Sequence, residues 1–129
     1  MQINTHGTID RSLCGEPLAV AEGTSEVRLV CDRCMAADAS GLVHGGFVFG
    51  LADYAAMLSV NHPNVVLGAA ETRFLKPSRV GDVLIARAQD QTPQERKHLV
   101  QVDVSCGEDV VFSGTFTCFV TREHVLAGD

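Results

Sequence analysis

The sequence predicts an α+β domain in which a curved antiparallel sheet wraps one long central helix. Three observations predict it. From Phe47 to Val60, every residue except Asp53, Tyr54 and Ser59 is apolar or Gly, with no strand-like alternation. Five other stretches read as strands, and those after the helix are joined by short connections. A helix apolar on all sides needs more cover than one flat sheet provides, so the sheet is expected to curl around it.

Met1 to Ala21 show weak periodicity, carry Gly7, Gly15 and Pro17, and read as a lead-in segment or short helix. From Gly23 alternation begins, with Val27, Leu29 and Cys31 on one face and Glu26 and Arg28 on the other. That is the pattern of a half-buried strand. Asp32 to Ser40 form a polar loop. The helix is expected to start at Gly45 or Gly46 and to stop at Asn61-His62-Pro63-Asn64, because Pro cannot continue it. Val65 to Phe74 read as a strand whose small centre, Gly68-Ala69-Ala70, permits close approach. After a turn at Pro77 and Gly81-Asp82, Val83 to Ala88 form the next strand. Val100, Val102, Val104 and Cys106 then alternate with Gln101, Asp103 and Ser105. Val110 to Val120 alternate as a long final strand. Short turns make successive strands antiparallel neighbours.

A chain of 129 residues fits one domain, 1–129, with a sizeable core. Its 46% hydrophobic and 20% charged residues indicate a soluble globular protein, and a net charge of -6 argues against nucleic acid or an anionic membrane as partner. The start, Met1-Gln2-Ile3-Asn4-Thr5-His6, lacks a basic segment and an apolar run, so a cytoplasmic address is expected. Five cysteines fit reduced thiols. Cys31-Asp32-Arg33-Cys34 has metal-ligand spacing, but no second pair accompanies it. The two are expected to be metal-free, and no metal or cofactor is expected elsewhere.

Asp53 stands in mid-helix among Leu51, Ala52, Ala55 and Ala56. Burying a carboxylate costs several kcal/mol unless something compensates it. Ahead of it, Gly45 and Gly46 open the helix, where the first amides have no intrahelical acceptor and can bind an oxygen. Asp53 is therefore the candidate catalytic group.

His44-Gly45-Gly46 with Asp53 nine residues after His44, followed by Phe74-Leu75-Lys76-Pro77 and Gly81-Asp82, resembles the hotdog-fold acyl-CoA thioesterases. The likeness runs from about Val27 to Val120 and is nearest the phenylacetyl-CoA and 4-hydroxybenzoyl-CoA thioesterase type. It implies hydrolysis of an aryl or medium-chain thioester of coenzyme A, with no cofactor beyond the coenzyme A of the substrate. It implies that the Gly45 N–H binds the thioester oxygen and that Asp53 acts as nucleophile or as general base on water. His44 would brace the loop, and Gly46 and Phe74 would border the substrate. Asp38 stands where the family often has Asn or Gln, and Leu67 where some members have a hydroxyl residue. Asp38 is accordingly expected near Asp53. Arg96 and Lys97 are candidate contacts for coenzyme A phosphates, although with Arg73, Lys76 and Arg79 they read equally as a solvated basic edge. Phe47, Phe49, Tyr54 and Met57 line an acyl pocket or form plain core. His62, His98 and His124 read as surface residues. The resemblance also implies a homodimer, with Gly45 of one chain facing Asp53 of its partner, often paired into a homotetramer. Two other classes remain. One is a non-catalytic acyl-CoA-binding or sensing protein. The other is a dehydratase, which would place a His after Asp53 within the helix, where this sequence has none.

Overall fold

A computed structural model describes residues 1–127. In chain order the elements are a single helical turn α1 (Arg11–Cys14), β1 (Glu16–Ala21), β2 (Thr24–Val30), a 3-10 turn (Arg33–Met35), α2 (Gly45–Val60), β3 (Val65–Phe74), β4 (Val83–Asp90), β5 (Lys97–Cys106) and β6 (Asp109–Val120). The strands form one antiparallel sheet in the order β1-β2-β4-β5-β6-β3. α2 contacts all six. Six strands laid flat would span about 24 Å, over twice the ~10 Å diameter of a helix, so one helix can touch them all only if the sheet curls. This is the hotdog arrangement that the sequence predicts. Among the described residues, no helix is long and apolar enough to cross a membrane.

The core lies between α2 and the concave face. Leu51, Ala52, Ala55, Ala56 and Leu58 of α2 are fully buried. The three alanines let the helix backbone lie close to the sheet, and the Ser25 hydroxyl donates to the Ala55 carbonyl at 2.6 Å. Inward positions follow the two-residue period of strands: Val27 and Leu29; Leu84, Ala86 and Ala88; Val100, Val102 and Val104; Phe112, Phe116 and Cys118. Met35, on the 3-10 turn, is also fully buried.

Two expectations need correction. The stretch before Gly23 holds a strand as well as a short helix. β1 escapes the periodicity reading because it is an edge strand with no continuous buried face, and Pro17 sits beside a register shift. Pro is tolerated at such places because no ladder partner needs its missing N–H. Nor are β3 and β4 neighbours: β3 pairs with β6 alone, at the far edge. The link 75–82 is too long to be a hairpin turn and is held elsewhere. Val43 N–H donates to the Ser78 carbonyl and Gly81 N–H to the Cys31 carbonyl, each at 2.9 Å.

Candidate functional site

The start of α2 is built to leave its amides open. His44 is the N-cap residue, in extended backbone, and its side chain makes no capping bond. Ser, Thr, Asp or Asn at that place would accept from the first turn. The His44 N–H donates to the Met35 carbonyl at 2.9 Å, which anchors the entry to the buried 3-10 turn. The ring lies edge-on to Phe47 and beside Gly46, where an added Cβ would meet it at 3.0 Å. The His44 side chain is exposed. Gly46 is exposed and Gly45 half-buried. At Gly45 an added Cβ would meet the Phe74 ring at 3.0 Å.

Asp53 lies two turns on. It is half-buried, on the stripe of α2 that also carries Gly46 and Gly50 and is the least covered by the rest of the chain. Its Oδ1 is buried with no hydrogen-bond partner among the described residues. Burial pushes the carboxyl up to about 6. Its charge is felt on both sides of the helix. Burial first, and then the Asp53 charge, raise the thiols of Cys14 on α1 and Cys118 on β6, the latter to about 12.

Within one chain the other candidates are dispersed. Asp38 is exposed and accepts from the Ser40 amide at 2.9 Å and from the Ser40 hydroxyl; these bonds hold its carboxyl below the usual range. Arg96 and Lys97 are exposed at the start of β5, where Lys97 pairs with Phe119. Phe74 pairs with Phe112, at the other end of β6. Those two cations therefore stand at the opposite end of the sheet from Gly45. Lys76 is paired with Asp109 at 3.0 Å, both exposed. Tyr54 and Met57 are core, each 1% exposed, whereas Phe47 and Phe49 are half-buried. Leu67 is half-buried against the core. Cys31 is buried, with its thiol pushed up to about 11 chiefly by burial, while Cys34 is exposed. Two surface clefts, of about 520 and 470 Å³, are lined by neither Gly45 nor Asp53, so neither of them is the candidate site.

His98 is a correction. It is buried, with its Nδ1 2.6 Å from Asp90 Oδ2. The signal was present in the sequence. His98 is in phase with Val100, Val102 and Val104, and Asp90 with Leu84, Ala86 and Ala88, so both belong to the inward face.

Residues 36–119 match the family model described as acyl-CoA thioesterase N-terminal domain. The chain is 52% identical over 116 residues to methylthioribose-1-phosphate isomerase of Aquifex aeolicus, covering 90% of this chain and 25% of that protein. It is 28% identical over 118 residues to transcription factor FapR of Caldanaerobacter subterraneus, covering 92% of this chain and 55% of that protein. The chain thus spans about a quarter of the first of these relatives and about half of the second. Among solved structures it is similar to the uncharacterized protein PH1136 of Pyrococcus horikoshii, with a TM-score of 0.96, 50% identity, and 98% and 97% of the two chains covered. It is also similar to a hypothetical thioesterase protein with coenzyme A from Streptococcus pneumoniae, with a TM-score of 0.75, 25% identity, and 84% and 87% covered.

Proposed function

The chain belongs to the family of acyl-CoA thioesterase N-terminal domains, and from that premise we propose that it hydrolyses thioesters of coenzyme A at a site shared by two copies of the chain. The observation that carries the reading is the Asp53 carboxyl, with a buried, unpartnered oxygen on the open stripe of α2 and a pKa raised to about 6. Such a group is poised for base or nucleophile work near neutral pH. The uncapped amides of Gly45 and Gly46 supply the complementary part. A thioester oxygen gains negative charge in the tetrahedral state, and fixed N–H donors at a helix start stabilise that charge more than the neutral carbonyl. Asp53 either attacks the carbonyl carbon or takes a proton from the attacking water, and the coenzyme A thiolate leaves. The acyl group is aryl or medium-chain. The likeness to a thioesterase protein with coenzyme A supports the substrate class.

Sharing follows from distance. Eight residues separate Gly45 and Asp53, roughly 12 Å along the axis, so one carbonyl cannot touch both on one helix. Two α2 helices packed antiparallel about a two-fold axis bring Gly45 of one chain beside Asp53 of the other. β3 supports this geometry: it is an edge strand whose Gly68, Ala69 and Ala70 are exposed, the kind of edge a second copy extends. Antiparallel pairing there also carries the partner's Arg96 and Lys97 toward the Gly45 end, within reach of coenzyme A phosphates. Further pairing of dimers gives the tetramer.

A non-catalytic acyl-CoA sensor is the second reading, favoured by the likeness to transcription factor FapR. Thiol release from a panel of acyl-CoA esters separates the two. The shared site is tested by mixing two inactive variants, Asp53→Ala and Gly45→Pro, under subunit exchange. Half the dimers then carry one intact site, so about a quarter of wild-type activity should return. Full activity in a sedimenting monomer would exclude sharing.

A further inference from the structure

Phe74 is large, apolar and 55% exposed, yet it is held in place. It is the last residue of β3 and pairs across the ladder with Phe112. Its ring stands edge-on to that of Phe112, with centroids 5.0 Å apart at 78°. Directly after it, the Leu75 and Lys76 N–H groups both donate to the Val111 carbonyl, at 2.8 and 3.2 Å. The backbone is thus pinned on both sides of the ring. The other contact is with Gly45. Three ring carbons lie within 3.6 Å of where a Gly45 Cβ would stand. Phe74 therefore forms a wall beside the amide that opens α2. Behind it, Phe112, Phe116 and Phe49 continue the aromatic cluster into the core, with the Phe49 ring 5.4 Å from that of Phe116 and 6.5 Å from that of Phe112.

Resting on the thioesterase reading above, we propose that Phe74 is the specificity-determining residue at the acyl α-carbon, admitting straight-chain and arylacetyl groups and rejecting those branched at that carbon. A carbonyl oxygen bound to the Gly45 N–H places its α-carbon within about 5 Å of that nitrogen. The carbonyl carbon has two substituents. The apolar acyl carbon takes the side walled by the aromatic ring, and the sulfur with its polar pantetheine arm takes the open side. A hydrogen on the α-carbon fits against the ring, whereas an added methyl meets it. The backbone pins keep the wall from retreating.

The test compares octanoyl-CoA with 2-methylheptanoyl-CoA, medium-chain esters that have the same atoms and differ in branching at that carbon. kcat/KM is measured for both with wild type, Phe74→Ala, Phe74→Leu and the neighbouring Leu75→Ala, each checked for folding by thermal melting. The non-hydrolysable dethia ketones of the same acyl groups are titrated in parallel for Kd. Both Phe74 variants should shift the 2-methylheptanoyl-to-octanoyl ratio upward by about tenfold, the scale of one methyl in an apolar pocket, and Leu75→Ala should not. The leucine variant preserves the test if the alanine variant fails to fold. Turnover with an unmoved ratio in the folded Phe74 variants overturns the proposal and leaves the thioesterase reading intact. Absent turnover with a shifted ketone ratio overturns the thioesterase reading and supports the wall. Neither turnover nor binding by wild type overturns both.

Discussion

Asp90 closes β4 with its side chain only 2% exposed, yet its oxygens are occupied: Oδ2 by His98 at 2.6 Å and Oδ1 by the Thr92 amide at 3.1 Å. Asp53 is more open to solvent, yet its Oδ1 has no partner. The deeper carboxylate is the satisfied one. Depth alone therefore does not mark a reactive group in this fold. What distinguishes Asp53 is a desolvated oxygen without a donor, on a face that something else can still reach. Asp90 and His98 tie two adjacent strands together, whereas Asp53 lies on a helix stripe that one chain leaves open.

The contrast can be broken by exchanging charges for amides. Asp53→Asn should lower thioester hydrolysis by about 10²-fold or more and leave the fold intact. Gly45→Pro should do the same, by about 10²–10³-fold, since it deletes one oxyanion donor. Pro suits the backbone of the first helical position, and His44 already has the extended backbone (φ -62, ψ 130) that a residue before Pro adopts, but the Pro Cβ would meet the Phe74 ring at 3.0 Å, so thermal melting must show the variant folded. Asp90→Asn should keep kcat in whatever protein is folded. Steady-state kinetics on the three variants decides it, and equal losses in Asp53→Asn and Asp90→Asn would erase the distinction.

Stability should show the reverse order. Disturbing one partner of a buried hydrogen bond leaves the other poorly satisfied, at a cost of roughly 1–3 kcal/mol. Asp90→Asn and His98→Leu should both lower the urea midpoint strongly. Their double variant, with no stranded group, should cost less than the sum. Additive losses would mean that the two side chains do not act as a pair.

Much of this contrast was legible in the sequence, and what was missed has physical causes. α2 declares itself because nine of its residues are buried around most of its circumference, and Asp53 is conspicuous in that setting. β2, β4, β5 and β6 follow from alternation. β1 lacks a buried face, so periodicity had nothing to register. The sheet order was hidden because β3 leaves through a long link that fixes no neighbour. His98 reads as surface when histidines are taken singly and as core when taken in phase with its strand. The contact of Phe74 with Gly45 joins residues far apart in the chain, and no local pattern encodes it.

A smaller effect sharpens the same comparison. The Asp53 carboxyl sits near 6 in the folded chain, above its ordinary value of 3.8. The folded state therefore holds its proton more tightly than the unfolded one. The resulting stabilisation is complete below about pH 4 and is lost as pH rises through about 6. Above that, the protein carries a poorly solvated charge. Asp53→Asn should then be more stable than wild type by about 1–2 kcal/mol at pH 8, discounted for partial solvent access, and no more stable at pH 4. Urea unfolding at the two values measures it. A variant less stable than wild type at pH 8 would mean that the assembly supplies Asp53 with a partner.

The smallest expected effect concerns Asp38, which the family resemblance leads one to expect near Asp53. In one chain it has a sufficient local role, because its carboxylate organises the turn at Ser40. Asn accepts the same bonds and tolerates the same turn, so Asp38→Asn removes a charge and little else. If Asp38 borders the reactive carboxyl in the dimer, its negative charge holds the Asp53 proton more tightly. Removing it lowers the Asp53 pKa, and the rising limb of the pH–rate profile moves to lower pH. Asp38 is exposed and its charge screened, so the displacement should be about half a pH unit and should shrink at high salt. A salt-independent shift would come from altered loop geometry instead. A profile superimposable on wild type at low salt would leave Asp38 as a turn former alone, and Asp53 as the only carboxylate of the site.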